Sequence, residues 1–335
     1  MLVLAAMALV PMISLSQDQG KSPIPLDHFY AKPRHGTNVI RTALRNVRFG
    51  LYTGLGRTYF SNHLDGYGVY QAPGQAPELF TSTSTPSLRY TNWINDAGTN
   101  TTTPGSYVVA NPGTSGLGFK GHALNLPLGG TVHYEFDRYR VGGGYSYELM
   151  SIGTLHSQIL SDKISDMTPA SSTGFVRKYW VMAGASFYRW NEYLFSGDLQ
   201  VGSYKLKGNY NTGQVVPSVF FNLGVTIEQS LSEYFRVYAR PYYEIKSYDL
   251  TPPGATPIHF NVNALYVNVG FTYSIPELPR CFLNDCHVQI NHAHGNKEYR
   301  SRRHPIYKKQ NPGYGENDPT LIKYKGRNKN KLNPY

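Results

Sequence analysis

Charge is scarce in this chain, cysteine is nearly absent, and no long apolar run follows the N-terminus. Asp, Glu, Lys and Arg together make up only 16% of 335 residues, a poor match to the solvated surface of an ordinary cytosolic enzyme. Only two cysteines occur, and neither lies at the end of the N-terminal apolar stretch, which argues against a lipoprotein anchor. The lack of a run of about 18 apolar residues beyond that stretch argues against a membrane-crossing helix. What is present instead is 28 Tyr and 33 Gly, a composition suited to β-structure edged by aromatic girdles. If such a chain enters a bilayer it does so as a closed barrel, because lipid offers no hydrogen-bond partner to an open strand edge.

The stretch from Leu2 to Leu15 is apolar, ends in Ser14-Leu15-Ser16 and is followed by polar Gln17-Asp18-Gln19. It reads as residues 1–16 of a secretory signal with its cleavage site, the mature chain starting near Gln17. No Lys or Arg precedes the apolar run, so either the start of translation lies upstream or the signal is a weak one. Residues 17–43, broken by Pro23, Pro25 and Pro33, read as an irregular N-terminal segment.

The clearest pattern runs from Val219 to Ile245. Val219, Phe221, Leu223, Val225 and Ile227 alternate with Asn222, Gly224, Thr226 and Glu228. After a brief turn, Phe235, Val237, Ala239, Tyr243 and Ile245 alternate with Arg236, Arg240 and Glu244. Ten or more alternating residues per strand, with aromatics near the ends, is the pattern of a transmembrane β-barrel, apolar toward lipid and polar toward the lumen. The same rhythm predicts eight strands between residues 44 and 274: from about Leu44, around Leu124–Phe136, Val141–Leu149, Tyr179–Phe187 and Tyr193–Val201, the two strands just described, and Leu265–Tyr273. Glycines on the inward side, such as Gly50, Gly54 and Gly56, make room in a narrow barrel. Connections alternate long and short. Four long ones and three short ones, with both termini at the short-turn end, are what an eight-stranded meander requires. The polar stretch from 61 to about 119 reads as the longest external loop, and Pro241 is expected at a bulge or near a strand end.

Three groups of residues are candidates for chemistry. The inward set holds Arg48, His133, Glu135, Arg140, Glu148, Asp198, Glu228, Arg236, Arg240, Glu244 and Lys246. Because eight strands enclose just enough space for their own side chains, and ions out of water must be paired, this set reads as a plug of paired charges that leaves no pore. A barrel enzyme would need an oriented His beside a nucleophile or a water-activating carboxylate near the outer rim. His133 sits at the wrong end for that, and His63, His156 and His259 have no spacing that makes a site. The expectation is a protein with no enzymatic activity and no cofactor.

The second group is Cys281 and Cys286 with His287, His292 and His294. A close cysteine pair in an exported chain forms a disulfide most simply; two thiolates with a histidine from this group would alternatively hold zinc, and free thiols are the third option. The third group is the basic, Tyr-dotted tail, with Arg300, Arg302, Arg303, Tyr307, Lys308 and Lys309 as its densest part. From Arg280 to Tyr335 there are 12 Lys and Arg against 4 Asp and Glu. An exported protein rarely meets nucleic acid, so residues 275–335 read as a basic periplasmic tail that either stays solvated or, the preferred reading, orders itself on a periplasmic or outer-membrane partner.

The eight-stranded pattern closing in Gly270-Phe271-Thr272-Tyr273 resembles small outer-membrane barrels of the OmpA/OmpX-like type, particularly the larger-looped versions found near type IX secretion and gliding proteins. The resemblance covers roughly 44–274. It implies a monomeric barrel in the outer membrane of a Gram-negative bacterium, surrounded by outer-membrane lipid, that anchors or stabilises an envelope assembly together with periplasmic or outer-membrane protein partners. The chain departs from the OmpA pattern in carrying a basic tail where a folded cell-wall-binding domain would stand.

Overall fold

The computed structural model describes residues 39–81, 87–103, 108–191, 193–231, 234–283, 292–294 and 297–300. A short helix α1 (Val39–Leu44) leads into β1 (Val47–Asn62). Five short strands follow: β2 (Tyr67–Tyr70), β3 (Glu78–Thr81), β4 (Arg89–Thr91), β5 (Gly98–Asn100) and β6 (Val108–Ala110). Next come the long strands β7 (Phe119–Phe136), β8 (Tyr139–Ser157), β9 (Thr173–Trp190) and β10 (Tyr193–Gly208). The remainder is β11 (Val215–Pro217), β12 (Val219–Ser230), β13 (Phe235–Ile245), β14 (Ser247–Leu250), β15 (Ile258–Ser274), β16 (His292–His294) and β17 (Lys297–Tyr299).

Eight of these strands close on themselves in the order β1, β7, β8, β9, β10, β12, β13, β15, and β15 pairs back to β1. All pairings are antiparallel, and the closing seam runs in register from Arg48 opposite Ser274 to Asn62 opposite Phe260. The alternation read from sequence is the observed one. On β15, Leu265, Val267, Val269 and Phe271 face outward, while Tyr266, Asn268 and Thr272 are buried within. Exposed Leu, Val, Phe and Tyr side chains circle the wall, with Leu128, Val181, Leu223 and Leu55 all more than half exposed. An apolar surface continuous over eight strands is far larger than a soluble monomer shows to water. It is the lipid-facing wall of a transmembrane barrel.

Aromatic pairs mark the two borders of this wall. At the short-turn end Phe136 packs on Tyr139, Trp190 on Tyr193 and Phe235 on Phe271. Toward the other end Tyr145 packs on Tyr179 and Tyr147 on Phe175. The short turns use left-handed residues suited to them: Asp137 between β7 and β8 has φ 52° and Asn191 between β9 and β10 has φ 54°, conformations that Asp and Asn tolerate better than other side chains do. Inside, the glycines are spacers for large rings. A Cβ at Gly56 would collide with the ring of Tyr266, and one at Gly144 with the indole of Trp180.

Four features differ from the sequence expectation. The helix α1 occupies residues 39–44, which were expected to be irregular or to open the first strand. Its Arg41 donates to the Pro276 carbonyl at 3.3 Å, Thr42 donates to Glu277 at 3.3 Å, and Arg45 lies 3.6 Å from the same carboxylate, so the entry of the chain is tied to its exit. Pro241 sits in mid-strand without a bulge: the register is the same on both sides of it, Gly224 opposite Tyr242 and Ile227 opposite Ala239. Sheet pairing is interrupted only between those points. The missing N–H is tolerated because the other neighbour, β15, pairs through Pro241 without a break. A bulge occurs on β9 instead, where the register to β10 shifts near Phe195. It turns both Phe187 and Tyr188 outward and buries Arg189.

The fourth difference is the largest. The polar stretch between β1 and β7 is a folded cap. Strands β2 to β6 form a separate sheet in the order β5, β4, β3, β2, β6, around Tyr67, Leu79, Tyr90, Trp93 and Ile94, each at most 2% exposed. The other long connections lock onto it. Tyr90 donates to the Pro253 carbonyl at 3.1 Å, Tyr248 to the Ile94 carbonyl at 2.8 Å, and Gln214 makes a reciprocal pair with the Ala97 backbone at 2.9 and 3.0 Å. Trp93 packs at a tilt against Phe119, ring centres 4.8 Å apart, so the cap's core runs on into the mouth of the barrel through Phe60, Phe220 and Phe260. Composition hid this because few apolar residues, widely spaced among Thr, Ser and Gly, supply the core.

Burial pushes the hydroxyls of Tyr210 and Tyr248, which meet edge to face in this cap at 5.9 Å, above the ordinary phenol value. Both must stay neutral while the cap is closed, yet they ionise near pH 10 once exposed. Their contribution is therefore complete below about pH 10 and is lost as pH rises through the higher folded values. In an alkaline titration followed by tyrosinate absorbance, a late class of tyrosines should ionise together with the onset of protease cleavage in the cap. A single phase near pH 10 with an intact cap would contradict this.

Candidate functional site

The polar positions of the alternating strands converge on the barrel axis as one ionic network. At the short-turn end Glu135 on β7 accepts from Arg48 on β1 at 2.7 Å and from Arg236 on β13 at 3.0 and 3.2 Å, with His133 at 3.3 Å. Arg236 also reaches Glu228 at 3.2 Å, and Glu228 accepts from Arg140 on β8. Arg140 donates to Asp198 on β10 at 3.1 Å. Asp198 also takes Arg240 at 2.8 Å and the Thr226 hydroxyl at 2.7 Å.

Higher up, Lys178 on β9 lies 2.7 Å from Glu244 and 2.8 Å from Glu148, and Lys246 lies 2.8 Å from Glu244. Tyr266 donates to Glu148, and its ring sits 4.7 Å from the Lys178 ammonium. Tyr242 stacks on Tyr266 at 4.9 Å, with the Arg240 guanidinium 4.3 Å above its ring. Apart from Glu135 and Arg236, which face the short-turn opening, these charged side chains are less than about a tenth exposed.

Six cations (Arg48, Arg140, Lys178, Arg236, Arg240 and Lys246) thus face five carboxylates (Glu135, Glu148, Asp198, Glu228 and Glu244), contributed by seven of the eight strands. Every member of the sequence-predicted lumen set lies inside. Lys178 was missed because the strand holding it was read as starting at Tyr179. Carrying the two-residue rhythm one step back from Trp180 and Met182 would have found it.

This arrangement braces the barrel and blocks it. A cavity of about 40 Å³ remains inside, lined by residues that include Tyr52, His133, Asn268 and Thr272, and the apolar core of the cap packs over the other end. Among the described residues no Ser, Thr or Cys is paired with a histidine in this network.

Two histidines outside the lumen network do meet carboxylates. His156 at the end of β8 lies 2.7 Å from Asp166, and His259 on β15 lies 2.7 Å from Asp249 on β14. Sequence spacing concealed both pairs, since each joins neighbouring strands or a strand and a loop. All four side chains are 44–62% exposed.

At the short-turn end the chain leaves the barrel through Pro276 and Pro279. The Arg300 N–H donates to the Pro279 carbonyl at 2.9 Å, Arg280 and Arg300 form a parallel bridge, and the Arg300 guanidinium lies 5.3 Å from the ring of Tyr234. Between them β16 and β17 pair as a hairpin, with His294 and Tyr299 packed on Phe282 at 6.1 and 5.3 Å. Cys281 is buried. Cys286 and His287 lie outside the described residues, as does the side chain of His292, so the disulfide and the zinc readings both fall there. Arg302, Arg303, Tyr307, Lys308 and Lys309 also lie outside them. Among the described residues no group of His, Cys, Asp and Glu is arranged to hold a metal ion.

No family model and no curated protein matches the chain. Three solved structures to which it is similar are the outer membrane protease OmpT from Escherichia coli, the outer membrane protein OprG from Pseudomonas aeruginosa and the COG4313 outer membrane channel from Pseudomonas putida F1. OmpT is 12% identical over 68% of this chain and 96% of its own, with a TM-score of 0.29. OprG is 11% identical over 69% and 97%, with a TM-score of 0.34. The channel is 6% identical over 73% and 100%, with a TM-score of 0.22. The eight-stranded closure stands on the strand pairing of this chain itself.

Removing one member of a buried ion network strands its partners, at a cost of about 3–5 kcal/mol. Lys178→Met should cost about that much in urea unfolding of the reconstituted barrel, because Glu148 and Glu244 then face each other without their shared cation. Lys178→Met combined with Glu148→Gln should recover part of the loss. Equal unfolding midpoints for wild type and Lys178→Met would show that the network contributes nothing.

Proposed function

We propose that the protein is a non-enzymatic β-barrel of the Gram-negative outer membrane. In this reading the cap lies outside, both termini lie in the periplasm, and the barrel serves as a structural or adaptor component of an envelope complex, in a setting such as type IX secretion or outer-membrane assembly. The observation that carries the reading is the closed interior. A barrel filled by paired charges and stoppered by an apolar cap has no route for a solute, so its useful surfaces are its two ends and its wall.

The tail supports the same reading. It is held to the rim by Arg300 over Tyr234. Beyond that anchor, residues 301–335 contain 9 Lys and Arg against 2 Asp and Glu. A basic segment dotted with Tyr and Asn-Pro turns suits an extended docking strand on an acidic protein face.

Co-purification from detergent-extracted membranes tests the proposal. The full-length protein should bring down envelope proteins that a chain ending at Arg300 does not. Identical partner sets would remove the adaptor role while leaving the barrel intact.

A second reading, hydrolysis at the outer rim, is favoured by the two His–Asp pairs. Under it, His156→Ala or His259→Ala would abolish a lipase or peptidase activity of the purified barrel. The proposal expects no such activity above the double-alanine background.

A further inference from the structure

The outer wall of the barrel carries a cluster of positive charge that the ionic network does not explain. Arg177 on β9 and Lys205 on β10 stand directly opposite each other across one strand pair. Lys207 follows two residues further along the same face, opposite Phe175. All three are exposed, while the alternate positions Val176, Lys178, Tyr204 and Leu206 are buried. Like charges set directly opposite on a sheet face repel, and no ion pair among the described residues reaches any of the three. The other outward cations at this level stand singly: Arg57 lies opposite Leu124 and Leu265, and Lys120 opposite Ser61 and His156.

Height on the wall identifies what faces them. From Tyr193 in the short-turn girdle, β10 climbs twelve residues to Lys205, which is roughly 25–30 Å along the membrane normal for a tilted strand. An apolar band of this kind is about 25 Å tall. The cluster therefore stands at the headgroup level of the leaflet on the cap side. Aromatics below and beside it fit that border: Tyr147 stacks on Phe175 at 5.3 Å, and the Arg177 guanidinium lies 5.7 Å from the ring of Tyr147.

We propose that Arg177, Lys205 and Lys207 form a binding site for the phosphate of an anionic lipid in the outer leaflet. A planar guanidinium presents two parallel donors to phosphate oxygens, and the two ammonium groups supply point charges around them. The lipid's acyl chains then lie along Tyr179, Val181 and Leu199, which are exposed on the wall below. The inference rests on the outer-membrane reading given above.

The test uses the full-length protein in dodecylmaltoside micelles, titrated with diphosphorylated lipid A, with dephosphorylated lipid A and with inorganic phosphate, and read by native mass spectrometry. Diphosphorylated lipid A should bind. The substitutions Arg177→Gln, Lys205→Gln and Lys207→Gln together should weaken binding roughly tenfold or more, while Arg57→Gln with Lys120→Gln changes it less than about twofold.

Equal binding by the triple variant, equal binding of the dephosphorylated lipid, or displacement by inorganic phosphate would overturn the proposal, the last by marking a site for free anion. Should the triple variant fail to show the heat-modifiable migration of a folded barrel, Lys205→Gln with Lys207→Gln gives the same readout with Arg177 in place. A protein that stays dispersed without detergent would fail the outer-membrane reading, a result separate from lipid selectivity.

Discussion

The pairing of the first barrel strand with the last is the constraint on which the structure depends. Inside a bilayer an unpaired N–H or C=O has no water to turn to, so a sheet with two free edges would be penalised along its whole length. The seam from Arg48–Ser274 to Asn62–Phe260 removes both edges at once. It also holds the chain's entry and exit together, and α1 reinforces this by bonding to Pro276 and Glu277 just past the seam. The proline in β13 is tolerated on the same account, since one intact neighbour keeps the strand in register.

Closure dictates the interior. Eight strands leave a core of side-chain width, so every polar residue that the alternation turns inward must find its partner there. Near-balance of charge follows from this: six cations and five carboxylates interlock, with tyrosine hydroxyls and rings filling the gaps at Tyr242 and Tyr266. Glycine at 56 makes room for the ring of Tyr266, and glycine at 144 for the indole of Trp180. The apolar cap completes the seal by inserting Trp93 against Phe119 at the mouth.

A sealed cylinder acts through its surfaces. At one end the chain leaves beneath a hairpin fixed by Arg300 and continues as a strongly basic tail. At the other, the cap presents polar loops locked together by backbone hydrogen bonds. Between them, one sector of the wall gathers three cations where lipid headgroups would meet it. The proposed docking at the tail and the proposed lipid contact at the wall would be physically independent, since they involve opposite ends of the barrel.

Much of this was legible in the residues alone. A two-residue rhythm is a local property, so strand number, inward and outward faces and the membership of Arg48, Glu135, Arg140, Glu148, Arg236, Arg240 and Glu244 in the lumen could be read directly. The bulge on β9 could not, because one extra residue reverses the rhythm without changing composition, and Arg189 went inside unseen. The cap escaped as well: its core joins Tyr90, Trp93 and Ile94 from one polar connection to Tyr248 from another about 150 residues later, and they meet only when the connections fold together.

The charge cluster of Arg177, Lys205 and Lys207 has the same origin, since its members come from two strands and are neighbours only through register. Alternation along one strand decided which side each residue faces; which residues touch was decided by how the strands align, and that alignment is set by the closed sheet as a whole.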